Sequence, residues 1–384
     1  MTEKTISELN TSRPDDYDDI VNLVRSSCGD KVVLPGVLVS EILSNLPVKS
    51  LIRFQTVCKP WNRFIFSPAF INKHLHRKNP QLGGYSKFCD KEFYSHKDEF
   101  VFPAVVDFIV GACNGIICIK TSHIEKSLIL FNPATREFSF LAKDECDGTI
   151  FGFCYIYKTQ EYQVIAFKEK RHVNNIDIKI LTMGKTKSLR EVRDVVLPGR
   201  ITDSRQATSG TTMVWLGVDH EEVNDIVICY DAIEERFSRI DVPPYDSPPH
   251  LWTRSLRVLK ESVIMFVYSN YEANTSFDIW TLIIDEGSKD KHWMKYRTIG
   301  PLKTGGIMWP IEVCWYEKWI LCRKDGNDQE DLKYRSNDLF YYDLETDQVE
   351  DYNKLTDPPI QEFVNYVESL VSIKSLVQSV DTNY

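Results

Sequence analysis

Two periodicities divide the chain. Between residues 34 and 76 apolar positions recur at helical spacing; from about residue 100 they fall into short runs separated by turn-forming residues. Leu38, Ile42, Leu43 and Leu46 follow an i, i+4 pattern, with Pro35 suited to a first turn and Pro47 ending the element. A second helix is predicted from Val48 to about Thr56, with Leu51, Ile52 and Phe54 apolar. Pro60 is tolerated only in a first turn, so a third helix carrying Trp61, Phe64 and Ile65 is predicted to begin near Lys59. Ser67-Pro68 reads as an N-cap with proline at the first helical position, ahead of Phe70, Ile71, His74 and Leu75. Three or four short helices bury little apolar surface alone, and such a unit usually needs a partner to cover its exposed face.

The second pattern repeats. An apolar strand, a turn centred on an acidic or amide residue and an aromatic return strand appear at Leu128–Pro133 and again around Ile176–Leu181. The unit returns at Ile228–Asp231 with Phe237, at Phe277–Trp280 with Trp293, and at Phe340–Asp343. Steps of about 50 residues, the last about 60, lie in or near the propeller range. A second strand pair precedes each unit, at Val105–Ile119, Ile150–Phe167, Thr211–Val218, Ser255–Tyr268 and Ile311–Arg323. Two hairpins per repeat make a four-stranded sheet, and stacking such sheets about an axis protects their edges. Five sheets are counted in this way. The leftover pieces, Phe100–Val105 and Glu362–Ile373, either close the ring or contribute to a sixth.

These patterns give five segments: an acidic extension over 1–33, a helical domain over 34–76, a linker over 77–99, a β-domain over 100–376 and a tail over 377–384. The extension holds Asp15, Asp16, Asp18 and Asp19 where a signal peptide needs a basic start and an apolar run. Lys and Arg number 46 against 55 Asp and Glu, a net charge of -9, which argues against nucleic acid as a partner because phosphate binding needs a concentrated cationic surface. The most apolar stretch, Val105–Ile119, is interrupted by Asp107, Gly111, Asn114 and Gly115 and is too short to span a bilayer, so no membrane partner is expected. The cysteines form no Cys-x-x-Cys pair, and reduced thiols of a cytoplasmic or nuclear protein are expected.

Catalytic signatures are missing. The sequence holds no His-Glu-x-x-His, no Gly-x-Ser-x-Gly and no phosphate loop, and its histidines are dispersed. His220 with Asp219 or Asp225, and Asp343 with Glu345, can be drawn as acid–base pairs, but acidic residues at such loops and hairpin turns normally cap the backbone. No catalytic residue, cofactor or metal is expected. The tryptophans fall mostly at repeat-equivalent strand positions, where packing between sheets explains them. Trp252 and Trp309 follow Pro248-Pro249 and Gly305-Gly306 and are the candidates for a substrate rim, along with the Pro243–Pro249 and Lys324–Asn337 segments.

One run of residues resembles a known motif. Leu34-Pro35, Glu41-Ile42-Leu43, Leu46-Pro47-Val48-Lys49-Ser50-Leu51, Arg53-Phe54, Val57-Cys58-Lys59 and Trp61, continued by Ser67-Pro68-Ala69-Phe70 and His74-Leu75, closely resemble the F-box in its plant form. One departure is Val37, where family members usually carry an acidic residue; weakened helix capping is the expected result. The β-domain resembles the plant F-box-associated, kelch-like domain. The matching stretches are Asn114–Ile117, Asn132–Arg136, Gly152-Phe153 with Tyr155, Thr159 and Glu161–Val164, Trp215-Leu216, Tyr230-Asp231 with Glu235 and Phe237, and Asp278–Trp280 with Trp293. The ending Tyr366–Leu370 also resembles S-locus F-box proteins and their relatives.

The fold so implied is α+β by segments: a small N-terminal helical F-box, then an all-β propeller-like repeat domain of five or six blades. The function implied is that of a non-catalytic substrate receptor in an SCF-type cullin ubiquitin ligase. Its partners would be a Skp-type adaptor, a cullin scaffold reached indirectly, and an unidentified target protein. A scaffold that does not cause degradation, or a glycan-binding propeller, is the alternative. Leu34, Pro35, Ile42, Leu43, Leu46, Pro47, Val48, Leu51, Val57, Cys58, Trp61 and Phe64 are the expected adaptor contacts. Together they hold more apolar side chains than so small a core can hide. Lys49, Arg53, Lys59 and Arg63 read either as a solvated face or as a surface that steers an acidic adaptor.

Overall fold

The fold was obtained as a computed structural model. It describes residues 36–76, 80–86, 92–95, 99–101, 105–122, 126–142, 148–168, 175–184, 187–244, 252–259, 262–269, 276–284, 290–302, 307–314, 319–325, 339–351 and 360–377. The chain divides into two compact units, one of residues 1–78 with Glu368–Val371 and one holding the remainder. The 1–33 extension, Leu34, Pro35 and residues 378–384 of the tail lie outside the described residues.

The first unit contains four helices, α1 (Gly36–Ser44), α2 (Val48–Phe54), α3 (Lys59–Ile65) and α4 (Pro68–Leu75), where the apolar spacing and prolines predict them. Pro47 is the N-cap of α2, and α3 starts after Cys58 with proline in its first turn. Ser67 caps α4, its hydroxyl oxygen accepting from Phe70 N at 3.3 Å; such a cap contributes about 1 kcal/mol. Val39, Leu43, Val48, Leu51, Phe64, Ile65, Phe70 and Leu75 are buried. The Phe64 and Phe70 rings lie 4.8 Å apart. His74 is buried too, and its Nε2 donates to Leu46 O at 2.8 Å, fixing α4 to the chain between α1 and α2.

The second unit holds six antiparallel sheets among the described residues. In chain order the strands are β1 (Pro80–Ser86), β2 (Glu92–Ser95), β3 (Glu99–Val101), β4 (Val106–Cys113), β5 (Ile116–Thr121), β6 (Lys126–Asn132), β7 (Glu137–Ala142), β8 (Ile150–Ile156), β9 (Glu161–Phe167), β10 (Asn175–Met183) and β11 (Ser188–Val196). They continue as β12 (Arg200–Ile201), β13 (Ala207–Ser209), β14 (Thr212–Val218), β15 (Asp225–Asp231), β16 (Arg236–Asp241), β17 (Trp252–Leu259), β18 (Ser262–Ser269), β19 (Phe277–Ile284) and β20 (Lys291–Ile299). The last are β21 (Ile307–Cys314), β22 (Trp319–Asp325), β23 (Leu339–Asp343), β24 (Val349–Asp351) and β25 (Ile360–Val367), before a short helix α5 (Ile373–Val377). The sheets are β25-β1-β2-β3, β4–β7, β8–β11, β12–β16, β17–β20 and β21–β24. The innermost strands neighbour one another in a closed circuit, β25 meeting both β21 and β4.

The propeller therefore has six blades, the higher of the two expected numbers. The first blade joins the two ends of the domain: β25 pairs antiparallel with β1 from Pro80↔Val367 to Ser86↔Ile360. The leftover pieces both belong to it, Phe100 in β3 and Glu362–Val367 in β25. One expectation is corrected here. Residues 77–99 are not a linker, since β1 and β2 lie within them and the β-domain starts at β1.

Burial explains the apolar runs. A middle strand is covered on both faces by neighbouring blades, so Ile116–Ile119, Leu128–Phe131, Ile226–Tyr230 and Val263–Val267 are buried without alternation. Trp215, Phe167 and Tyr230 fill the space between the third and fourth blades, with Phe237 against them. Outer strands differ: β11 leaves Leu189, Arg190, Glu191, Arg193, Asp194 and Val196 exposed.

The repeated turn has one chemistry at three blades. Asn132 Oδ1 accepts from Ala134 N and Thr135 N, Asp231 Oδ1 from Ile233 N and Glu234 N, and Asp343 Oδ1 from Glu345 N and Thr346 N. Four residues on, Arg136, Glu235 and Asp347 take positive φ of 58, 54 and 60° and send the chain back. The side-chain acceptor satisfies backbone donors that the tight turn leaves unpaired. Asp278 does not follow this rule. It lies inside β19 opposite Thr298, accepting from that hydroxyl at 2.6 Å, so the turn read there is corrected to strand.

Side chains also bridge blades. Gln206 acts as a substitute strand edge, its Oε1 accepting from Phe153 N at 3.0 Å and its Nε2 donating to Phe153 O at 2.7 Å. Gly111 leaves room for this amide, since a Cβ there would sit 2.6 Å from Gln206 Nε2 and push it from its place. Arg257 on β17 reaches Ile311 O and the Glu312 carboxylate on β21. Farther out, Arg190 pairs with Glu235, and Arg297 with Asp347.

Candidate interaction surface

Helix α1 is apolar on two sides. Val39 and Leu43 point into the unit, while Val37, Leu38 and Ile42 are 62%, 49% and 53% exposed. Leu38 and Ile42 are one turn apart, and half-buried Leu46 continues their row beyond the end of the helix. Between α2 and α3, Val57 is 62% exposed, with Cys58 and Trp61 half-buried and Pro47 exposed. Trp61 stands edge-on to Phe54, ring centroids 5.7 Å apart. A unit this small has the means to turn these side chains inward only by displacing its own core. The exposed apolar row is therefore a surface suited to burial against another protein.

The structure divides the expected adaptor contacts. Ile42, Leu46, Pro47, Val57, Cys58 and Trp61 reach the surface in whole or part. Leu43, Val48, Leu51 and Phe64 are buried in the core and support the surface from beneath. Leu34 and Pro35 lie outside the described residues. Val37 and Leu38, which are not in the expected set, are exposed beside these residues, as a helix apolar around more than one face allows.

The imagined acid–base pairs are structural. Asp219 Oδ1 accepts from Val223 N at 3.0 Å and Oδ2 from Asn224 Nδ2 at 2.7 Å; the Asn224 amide, then the Val223 N–H, hold this carboxyl below its usual range. His220 Nε2 donates to Leu197 O at 3.0 Å, and Asp225 pairs with Arg254. Burial pushes the Cys154 and Cys229 thiols up to about 12, which keeps them protonated near neutrality. Among the described residues no cluster of His, Cys, Asp or Glu is placed to hold a metal ion. No helix among them is long and apolar enough to cross a membrane.

Trp252 begins β17 and Trp309 lies in β21, on adjacent inner strands. Both are half-buried, Trp252 packed against the cluster that contains Leu256 and Val263, Trp309 against the one that contains Phe266 and Tyr342. Neither forms a flat exposed platform. Residues 245–249 and 326–337 of the two candidate rim segments lie outside the described residues.

Comparison with known proteins agrees with both units. Residues 33–73 match the F-box domain, and residues 82–373 match the F-box associated beta propeller domain. The Arabidopsis thaliana F-box/kelch-repeat protein At3g23880 is 25% identical over 300 residues, covering 69% of this chain and 79% of that protein. The probable F-box protein At5g47300 from the same plant is 25% identical over 377 residues, covering 88% and 86%. Among solved structures, TolB from Acinetobacter baumannii gives a TM-score of 0.41 at 6% identity, over 76% of this chain and 66% of that one.

Proposed function

The chain belongs to the family of plant F-box proteins with an F-box associated β-propeller, and on that premise we propose that it is the substrate-recognition subunit of an SCF-type cullin ubiquitin-protein ligase. The helical unit docks on a Skp-type adaptor, which connects it to the cullin. The propeller captures the target protein. The observation that carries the reading is the exposed row Leu38, Ile42 and Leu46 with Val57 and Trp61 beside it, on a unit whose own core is already filled.

The receptor's chemical contribution is proximity. Holding a target near a charged conjugating enzyme makes an encounter between a lysine and a thioester effectively intramolecular, and no proton or metal need be handled by this chain. Six blades held by bridging side chains give the rigid base that such positioning needs. A glycan-binding role would call for exposed indole platforms, and Trp252 and Trp309 are instead half-buried, packed against the core clusters. The assigned place of work is the cytoplasm or the nucleus, where the adaptor and cullin operate.

Co-precipitation of adaptor and cullin by the full chain, with Leu38→Asp, Ile42→Asp and Leu46→Ala/Trp61→Ala compared, tests the reading. Loss of both partners in the variants is expected. Recovery of the adaptor without the cullin would favour a scaffold over a ligase receptor.

A further inference from the structure

The helical unit is made from two stretches of chain. Its four helices lie within residues 36–76, and Glu368–Val371, from beyond the last strand of the propeller, belong to the same compact unit. Both middle residues of the second stretch are buried, Ser369 at 0% and Leu370 at 1% exposure. The backbone N–H of Val371 donates to Ser369 Oγ at 3.0 Å, a local turn over these positions. Four residues with one such hydrogen bond have no means of holding their shape alone.

What holds them lies on either side, in the propeller. Upstream, β25 ends at Val367, the residue paired with Pro80 in the blade that closes the ring. Downstream, Glu137 at the start of β7 caps α5: its Oε2 accepts from Ser372 Oγ at 2.9 Å and from Ile373 N at 2.8 Å. Ile373 and Leu376 are buried, and α5 lies along β7 and β6. A helix of five residues does not persist without such docking. The stretch is thus fixed at both ends, which removes much of the entropy that its placement would otherwise cost. Four short helices bury little apolar surface alone, so a further buried leucine within their unit adds materially to its stability.

We infer that the helical unit is completed by this late stretch of the chain, and that it reaches full stability only once the ring has closed and α5 has docked on the second blade. An open propeller leaves Leu370 unplaced and the helices looser, so the folding of the two units is coupled. The coupling stands on the intrachain structure alone. Its consequence, weaker docking by a receptor whose propeller is incomplete, rests on the adaptor reading.

The test is hydrogen–deuterium exchange, read by mass spectrometry, on the full chain and on its Leu370→Asp and Glu137→Ala variants. In Leu370→Asp, peptides spanning Leu43–Leu51 and Phe64–Leu75 should exchange roughly tenfold faster or more, while peptides of β14–β18 keep their rates. Glu137→Ala, a change made only in the second blade, should speed the same helical peptides roughly threefold or more. Helical peptides that keep their rates in Leu370→Asp would overturn the inference. Should that variant speed exchange throughout the propeller as well, the milder Leu370→Ala decides on the same peptides. Titration of each variant with purified adaptor should show affinity falling in step with the exchange. Unchanged affinity in a variant whose helices have loosened would overturn the docking consequence. An unaltered chain that binds no adaptor would overturn the adaptor reading, and the exchange rates would still decide the coupling.

Discussion

Ile42→Asp separates surface from core most sharply. Fully burying an Ile side chain contributes about 1.5–3 kcal/mol. Ile42 is 53% exposed, so a partner that covers it gains about half of that, ~1 kcal/mol, and Ile42→Ala should weaken binding about five- to tenfold. A carboxylate at the same place adds an uncompensated charge to a contact that excludes water, costing about 3–5 kcal/mol, or roughly 10²–10⁴-fold in Kd. Neither change touches Leu43 or Val39, so the helical unit should keep its fold. Leu51→Ala is the contrast: Leu51 is fully buried, and its truncation should cost about 2–5 kcal/mol of the unit's own stability. Titration calorimetry against purified adaptor reads the affinity, and thermal unfolding followed by circular dichroism reads the fold. Binding by Ile42→Asp within twofold of the unaltered chain would remove α1 from the interface. An equal loss of helix in both variants would refute the division into surface and core.

Gln206→Ala should lower propeller stability by about 2–4 kcal/mol, because both the N–H and the C=O of buried Phe153 lose their partner, whereas Phe153 keeps only the longer contact from Thr208; urea unfolding followed by tryptophan fluorescence measures it. Gln206→Glu, which keeps the acceptor but sets a carboxylate against Phe153 O, should be no better than Ala. Cys154 and Cys229 should resist iodoacetamide in the native protein at pH 8 and react on unfolding, as peptide mapping would reveal. Their folded pKa values, raised to about 12, exceed the ordinary 9, so above pH 9 the unfolded chain releases protons that the native one retains; stability should be level below that pH and fall as pH rises through 9–12. Asp231→Ala should cost about 1–2 kcal/mol by leaving Ile233 N and Glu234 N without their acceptor, while Asp231→Asn, the residue type found at the equivalent position 132, should cost little.

The legible parts were those with local causes. Prolines and caps set the four helices, and the third strand of five blades showed itself as an apolar run of fixed spacing. The first blade was legible only in its leftover pieces, Phe100–Val105 and Glu362–Ile373, and its strand β1 was hidden in the expected linker for a physical reason. Pro80-Gln-Leu-Gly-Gly-Tyr-Ser fell in the expected linker, with Gly83 and Gly84 weakening any strand, and becomes a strand through pairing with residues 360–367 at the other end of the domain. Asp278 was misassigned because an acid in a strand and an acid at a turn look alike without knowledge of the ion pair with Lys295 at 2.9 Å. In the helical unit, pattern alone marked the apolar residues but could not separate Leu43 and Leu51, which hold the bundle, from Leu38 and Ile42, which it leaves uncovered.

Closure through β25 also ties the propeller to the timetable of synthesis. At typical ribosomal speeds, tens of seconds pass between the emergence of β1 and that of its partner. Throughout that interval five finished blades would stand as an open arc with a bare edge at each end, a form prone to capture by chaperones or by other nascent chains. A chain ending before residue 360 would be arrested in that state. The last strand thus serves as a latch, since only a copy that carries residues 360–367 can close the ring.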